Sequence, residues 1–236
     1  MDHADFTNLI KVHASAIRPV VSFHSGADRL LAMDFTEANH ELTDHLLSDS
    51  EAFTSYISSS IARAGARYGI GGYAEHRTVY RMSSVFDGAE GKSEPRRLHL
   101  GTDIWGAVGT VVMTPLDGWV HSFAFNNQSG DYGATIILKH ELAGIIFYTL
   151  YGHLALKDIQ DCKEGAFLPA GSVFAHFGNW SENGGWPPHL HFQLILDIGL
   201  QKGDYPGVCP YSEKDHWLAN CPDPDNLLQL NQYLNK

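Results

Sequence analysis

No apolar run in this sequence approaches the roughly 18 residues that a membrane-spanning helix requires. Positive charge is scarce: 16 Lys and Arg stand against 27 Asp and Glu, for a formal net charge of −11. A broad basic face for nucleic acid is therefore not expected, and the same acidity opposes general docking on an acidic polymer. Cysteine is also sparse. Cys162, Cys209 and Cys221 make an odd count with no CxxC pair, so buried thiols are expected rather than a disulfide framework. The first twenty residues lack the basic start and unbroken apolar stretch of a secretory signal. Asp2 and Asp5 sit where cations belong, and Lys11, His13 and Arg18 interrupt the apolar residues. A reducing cytoplasm is the simplest expectation. A chain trimmed of a leader and given a new Met1 would read the same, which leaves the periplasm or secretion as the alternative.

What is present is 236 residues with 44% hydrophobic content, enough for one large domain with an extension or two small ones sharing an interface. Three stretches differ in character. Residues 1–75 mix signals for both kinds of element, an α+β extension. Pro19–Ser22 and Leu30–Phe35 read as short strands joined by the turn His24–Asp28. Ser48 and Glu51 read as a capping box. Behind them Phe53, Tyr56, Ile57, Ile61 and Ala64 recur at helical spacing, with Gly65 and Gly69 as places to stop. The apolar stripe and the short Gly69–Gly72 junction predict that this part packs on the domain C-terminal to it and shapes one wall of its cleft.

Residues 76–200 are dominated by short β-branched and aromatic runs bounded by glycine: 109–113, 119–125, 134–140, 144–151, 172–177 and 190–195. That pattern predicts a mainly β fold, a folded antiparallel sheet or β-sandwich. In residues 201–236, the Gly-, Pro- and Trp-rich stretch 203–221 reads as an ordered covering loop. Asp223 and Pro224 then open a short final helix, from Asp225 to about Leu234.

Fourteen histidines are many for this length, and two clusters stand out. In His189–Phe192, Leu190, Phe192, Leu194 and Leu196 alternate with His189, His191, Gln193 and Ile195. A strand sends the first set to the core and both imidazoles out of one face, with Cα atoms roughly 6.6 Å apart. In His99–Asp103 the two end residues would lie about 13 Å apart on a straight strand. Gly101 midway permits a bend. Alone, each cluster also reads as a surface strand or turn with a chance histidine. Together, two imidazoles and a carboxylate with a fourth position left for water form a recurring catalytic zinc set.

These residues resemble the lysostaphin-like peptidoglycan metalloendopeptidases. That family carries HxxxD, a later YxHL-type segment and a terminal HxH. Here they stand as His99 to Asp103, Tyr151 to Leu154, and Pro188 to Phe192, with a glycine-paced hairpin, 164–178, between the last two. The resemblance spans about residues 95–197. It implies a Zn²⁺ ion held by His99, Asp103 and His191, with His189 as general base. It makes His153 the second catalytic histidine, orienting water or stabilising the oxyanion, and implies a peptide or peptidoglycan-derived substrate. The stretches Arg96–Asp103, Phe147–His153 and Asn183–Phe192 look closer to a leaderless branch, in which such a domain can be joined to kinase-like and aminotransferase-like domains. Trp186 replaces a small residue and is expected at the cleft rim, opposite the extension. His76, beside Glu75 and Arg77, is the remaining histidine that could reach the cleft, as a fourth ligand that would make the protein latent. A silent peptide-binding module is the alternative function. A biotinyl- or lipoyl-type carrier is disfavoured, because 168–178 has no lysine at its turn.

Overall fold

A computed structural model describes residues 3–87 and 93–234. Its centre is an eight-stranded sheet. Three long strands form a meander: β6 (Gly118–Asn126), β7 (Gly133–Leu142) and β8 (Ile145–Leu154). The edge of β8 pairs antiparallel with β11 (His189–Ile195), which pairs with β4 (Thr102–Trp105). The chain's first part continues the sheet. β2 (Tyr68–Gly71) pairs antiparallel with β4, and β1 (Leu30–Met33) lies parallel to β2. The short β9 (Phe167–Leu168) closes the opposite edge against β6. Two small ribbons flank the sheet: β5 (Val111–Met113) with β10 (Val173–His176), and β3 (Arg96–His99) with β12 (Val208–Pro210). The mainly β, antiparallel-dominated fold matches the alternation in the sequence.

Both faces of the sheet are covered. On one, Leu190, Phe192 and Leu194 join Ile104, Ile136, Leu138 and Tyr151 in the main core. Helix α1 (His3–Val12) lies over it, with Phe6 set edge-on to Phe147 at 5.2 Å. Full burial of each such side chain contributes roughly 1.5–3 kcal/mol. The short α4 (Leu156–Gln160), next in the chain after β8, adds Ile159 to the same core. On the other face Leu98, Leu100, Ile137, Leu150 and Ile195 meet Cys209 and Cys221. All three cysteines are free thiols, Cys162 being half-buried.

Several local expectations are corrected. Pro19–Ser22 is not a strand; proline has no N–H to give, and the carbonyls of Val20 and Ser22 are met singly, by Met113 N–H and by the Tyr68 hydroxyl, rather than by a ladder. The cap of α3 (Ser50–Arg63) is Asp49, whose carboxylate accepts from the Glu51 and Ala52 N–H groups. Ser48 instead ends α2 (Asp44–Ser48). The predicted stop at Gly65 holds, with φ +59°. The stretch 203–221 is more regular than a covering loop: it contains β12 and α5 (Lys214–Asn220). The last helix, α6, is only Asp225–Leu228. It stops because the Asp225 carboxylate accepts from Leu230 and Asn231 N–H, holding Gln229 at φ 51°.

Candidate metal centre and cleft

Strand register assembles the site. His191 of β11 lies directly across from Asp103 of β4, and His189 across from Trp105. The chain breaks between β3 and β4 at Leu100–Gly101, which brings His99 back toward Asp103. The reason for Gly101 is space more than conformation, since a Cβ there would lie 2.5 Å from His191 Cε1. The side chains of β11 that leave the core face do not reach solvent; His189, His191 and Gln193 are 2%, 3% and 0% exposed.

Three donor atoms converge. His99 Nε2 is 3.0 Å from His191 Nδ1, and Asp103 Oδ1 is 3.3 Å from the former and 3.2 Å from the latter. Outer partners fix which nitrogen each ring presents. His99 Nδ1 donates to the Gly72 carbonyl at 2.9 Å, and His191 Nε2 donates to Gln193 Oε1 at 2.9 Å. The Gln193 amide is itself oriented, because its NH₂ donates to the Pro206 carbonyl and to Cys221 Sγ. Two imidazole lone pairs and a carboxylate oxygen therefore point at one another with no proton between them. That arrangement is unfavourable empty and suits a cation. Burial lowers His99 to about 4, with the Arg77 charge adding to the fall. For Asp103 burial acts upward, but the charges of His99 and Arg77 outweigh it and hold the carboxyl well below its usual range. Neutral imidazoles and an ionised carboxylate are the forms a metal needs. Among the described residues, no fourth His, Cys, Asp or Glu joins the three.

Two further histidines stand beside this group. His189 Nδ1 donates to the Pro187 carbonyl at 2.8 Å and His153 Nδ1 to the Asn183 carbonyl at 2.7 Å. Their rings lie 4.1 Å apart, and His189 Nε2 is 3.9 Å from Asp103 Oδ1. Trp105 stacks on His189 at 3.9 Å and 15°. His153 sits at φ 62°, a left-handed backbone costly for a non-glycine residue, pinned by His153 N–H to the Tyr132 carbonyl and Gly178 N–H to its own. Burial lowers both rings, His189 to about 4 and His153 well below its ordinary value, the latter helped by His189.

A cleft opens over His153, His189, His191 and Asp103. Trp186 lines it but is not an exposed rim; it is 5% exposed, packed against Tyr80 and Phe86 in one aromatic wall. The Tyr80 and Phe86 rings cover the apolar body of the indole, and among the described residues its Nε1–H is buried without a hydrogen-bond partner. His76 does not reach the cleft. It is exposed, bridges Leu98 and faces the Tyr211 ring at 5.7 Å. Its neighbour Arg77, on the opposite side of the extended chain, is the residue that enters the site. Two participants were not singled out in the sequence: Arg77, which pairs with Asp103, and Tyr132, whose hydroxyl is 3.4 Å from His191 Nε2. A Glu-x-Arg pair beside a glycine-rich strand was the available signal for Arg77, since alternate residues share a face.

Residues 97–202 match the family described as Peptidase family M23. An uncharacterized metalloprotease of Haemophilus influenzae is 34% identical over 101 residues, 43% of this chain and 19% of that one. A peptidoglycan DD-endopeptidase of Vibrio cholerae is 24% identical over 189 residues, 74% of this chain and 40% of its own length. The chain thus spans less than half the length of these curated relatives. Among solved structures, the catalytic domain of lysostaphin from Staphylococcus simulans is 21% identical, covering 55% of this chain and 83% of that one with a TM-score of 0.35. Over residues 97–202, a little under half of the chain, the sequence is therefore similar to peptidase family M23.

Proposed function

We propose that this chain is a zinc-dependent metalloendopeptidase that hydrolyses peptide bonds in peptidoglycan crosslinks or related peptides. His99, Asp103 and His191 are its ligands. The observation that carries the reading is the pair of imidazoles, His189 and His153, each with one nitrogen tied to a carbonyl, beside a three-atom donor set. A zinc ion held by these three residues would supply a water with a pKa near 7 and would polarise the scissile carbonyl. His189, with its Nδ1–H committed to Pro187, offers a lone pair at Nε2 and accepts the proton of the attacking water. Neutral His153, its Nδ1–H committed to Asn183, also offers only a lone pair, which suits orienting a water better than donating to an oxyanion. Tyr132 provides a donor nearby, since burial raises its pKa and keeps the hydroxyl protonated. A donor placed where charge develops is the usual means of oxyanion stabilisation.

The absence of a fourth His, Cys, Asp or Glu donor among the described residues favours an active centre over a latent one. The test is digestion of purified wall peptides and of unrelated peptides, with and without a chelator, alongside metal analysis. Chelator-sensitive cleavage of wall peptides is the expected result. Stoichiometric zinc with no cleavage of any peptide would replace this reading with that of a silent binding module.

A further inference from the structure

Arg77 is 2% exposed, lies outside the family match, and spends its guanidinium on the metal centre's surroundings. Its Nη1 donates to Asp103 Oδ2, the oxygen that faces away from the imidazoles, and to the Tyr80 hydroxyl at 3.2 Å. Its Nε donates to Glu75 Oε2 at 2.7 Å and its Nη2 to the Gly72 carbonyl at 3.3 Å. That same carbonyl accepts from His99 Nδ1. The guanidinium also lies over the Phe35 ring, 5.1 Å from its centre. The fit is close, since a Cβ on Gly71 would come within 2.8 Å of Nη2.

We propose that Arg77 is a positioning residue for the metal centre: it occupies Oδ2 of Asp103 so that this carboxylate presents only Oδ1 to the ion. The proposal rests on the metallopeptidase reading above. Geometry and charge both support it. A carboxylate with both oxygens free can rotate or bind an ion through both, which raises the coordination number and fills the position a water needs. With Oδ2 engaged, only the oxygen already 3.2–3.3 Å from both imidazoles remains. A cation beside a metal site opposes metal binding, and Glu75, paired to Arg77 Nε, offsets that charge. A planar fork with five donors can serve Glu75, Asp103, Tyr80 and Gly72 at once; an ammonium cannot. The segment 72–77 thereby orients two of the three ligands, Asp103 through Arg77 and His99 through the Gly72 carbonyl.

The test uses the full chain loaded with Co²⁺, with affinity from chelator competition and geometry from the visible absorption of the bound ion. Arg77→Met is expected to bind Co²⁺ roughly 10–100-fold more weakly, as loss of an outer partner does. Its visible band should also weaken as Asp103 takes the ion through both oxygens. Arg77→Lys should restore part of the affinity without restoring the parental spectrum. If Arg77→Met fails to fold because Glu75 is stranded, the double variant Glu75→Gln/Arg77→Met removes that carboxylate and carries the same expectation. Should neither fold, Arg77→Lys decides, and a parental spectrum and affinity in it overturn the proposal. A folded Arg77→Met with both readouts unchanged also overturns it and leaves the metal reading standing. A parent chain that takes up no Co²⁺ overturns both.

Discussion

Two regions of the same sheet bury histidine completely, and they differ in what the ring nitrogens meet. Toward one end of β7, His140 is 0% exposed and stacks on Phe147. Its Nδ1 is 2.9 Å from the Asp117 carbonyl and its Nε2 is 2.7 Å from the Thr149 hydroxyl. Toward the other end, His153 and His189 each have one nitrogen tied to a carbonyl, while their Nε2 atoms face the cleft group. Burial lowers His140 and His189 alike to about 4. Burial and a displaced proton affinity therefore do not distinguish structure from chemistry. What differs is the second nitrogen, held by the Thr149 hydroxyl in His140 and directed at the cleft in His153 and His189.

The comparison breaks most sharply at the ligands. His191→Ala should abolish tight metal binding, because two remaining ligands hold zinc poorly. Elemental analysis of the purified variant checks this, and stoichiometric zinc would remove His191 from the set. Next in size are the two rings beside the metal. His189→Ala and His153→Asn, the latter chosen because Asn tolerates a left-handed backbone, should keep their zinc and lose roughly 10²–10⁴-fold in turnover. Parental turnover by either variant on wall peptides would strip that residue of its role.

A smaller effect is expected from Gly101→Ala. The added methyl group must displace the His191 ring or the Phe192 carbonyl, 2.5 and 2.8 Å from it. Metal affinity should fall by about 10-fold or more, the scale of a disturbed outer partner; unchanged chelator competition would show that β11 gives way freely. The smallest change in activity belongs to His140→Gln, which should leave turnover within roughly 2-fold while costing about 1–3 kcal/mol of stability near neutral pH. Its pH signature is distinct. The folded value of about 4 lies below the ordinary 6.5, so the unfolded chain takes up the proton first. Parental stability then falls as pH drops from 6.5 toward about 4. Denaturant melts of zinc-loaded parent and variant across that window should diverge at high pH and converge at low pH; parallel curves would mean that His140 does not titrate with folding.

Much of the fold was readable because its strands obey simple rules. The alternation of Leu190, Phe192 and Leu194 with His189, His191 and Gln193 settles which face of β11 enters the core, whatever lies on the other. The runs bounded by glycine mark the meander for the same reason. Caps and ends were less readable. Asp49 won over Ser48 because both have suitable side chains and only the preceding short helix decides between them. The five motif residues were named through the resemblance that their order and spacing carry, and the structure places all five around one cleft. Tyr132 could not be named, because neither periodicity nor motif marks it, and the Glu75-x-Arg77 pattern shows only that two charges share a face, not what they meet. Arg77 reaches Asp103 only once Gly71 has been set opposite Asp103 by strand pairing, and local patterning carries no information about that register. His76 drew attention as a histidine, though its neighbour on the other side of the chain holds the relevant position.

The pairing of β2 with β4 has a consequence for the solution behaviour of shortened forms. It places the strand that bears Asp103 inside the sheet, and leaves the four-residue β1 as the terminal strand on that side. Short terminal strands are a common guard against edge-to-edge association. Removing residues 1–75 would uncover the backbone N–H and carbonyl groups of Ile104 and its neighbours, a ready template for a second copy. Such a fragment is expected to self-associate through the strand that carries Asp103, so its activity would have to be read against its concentration.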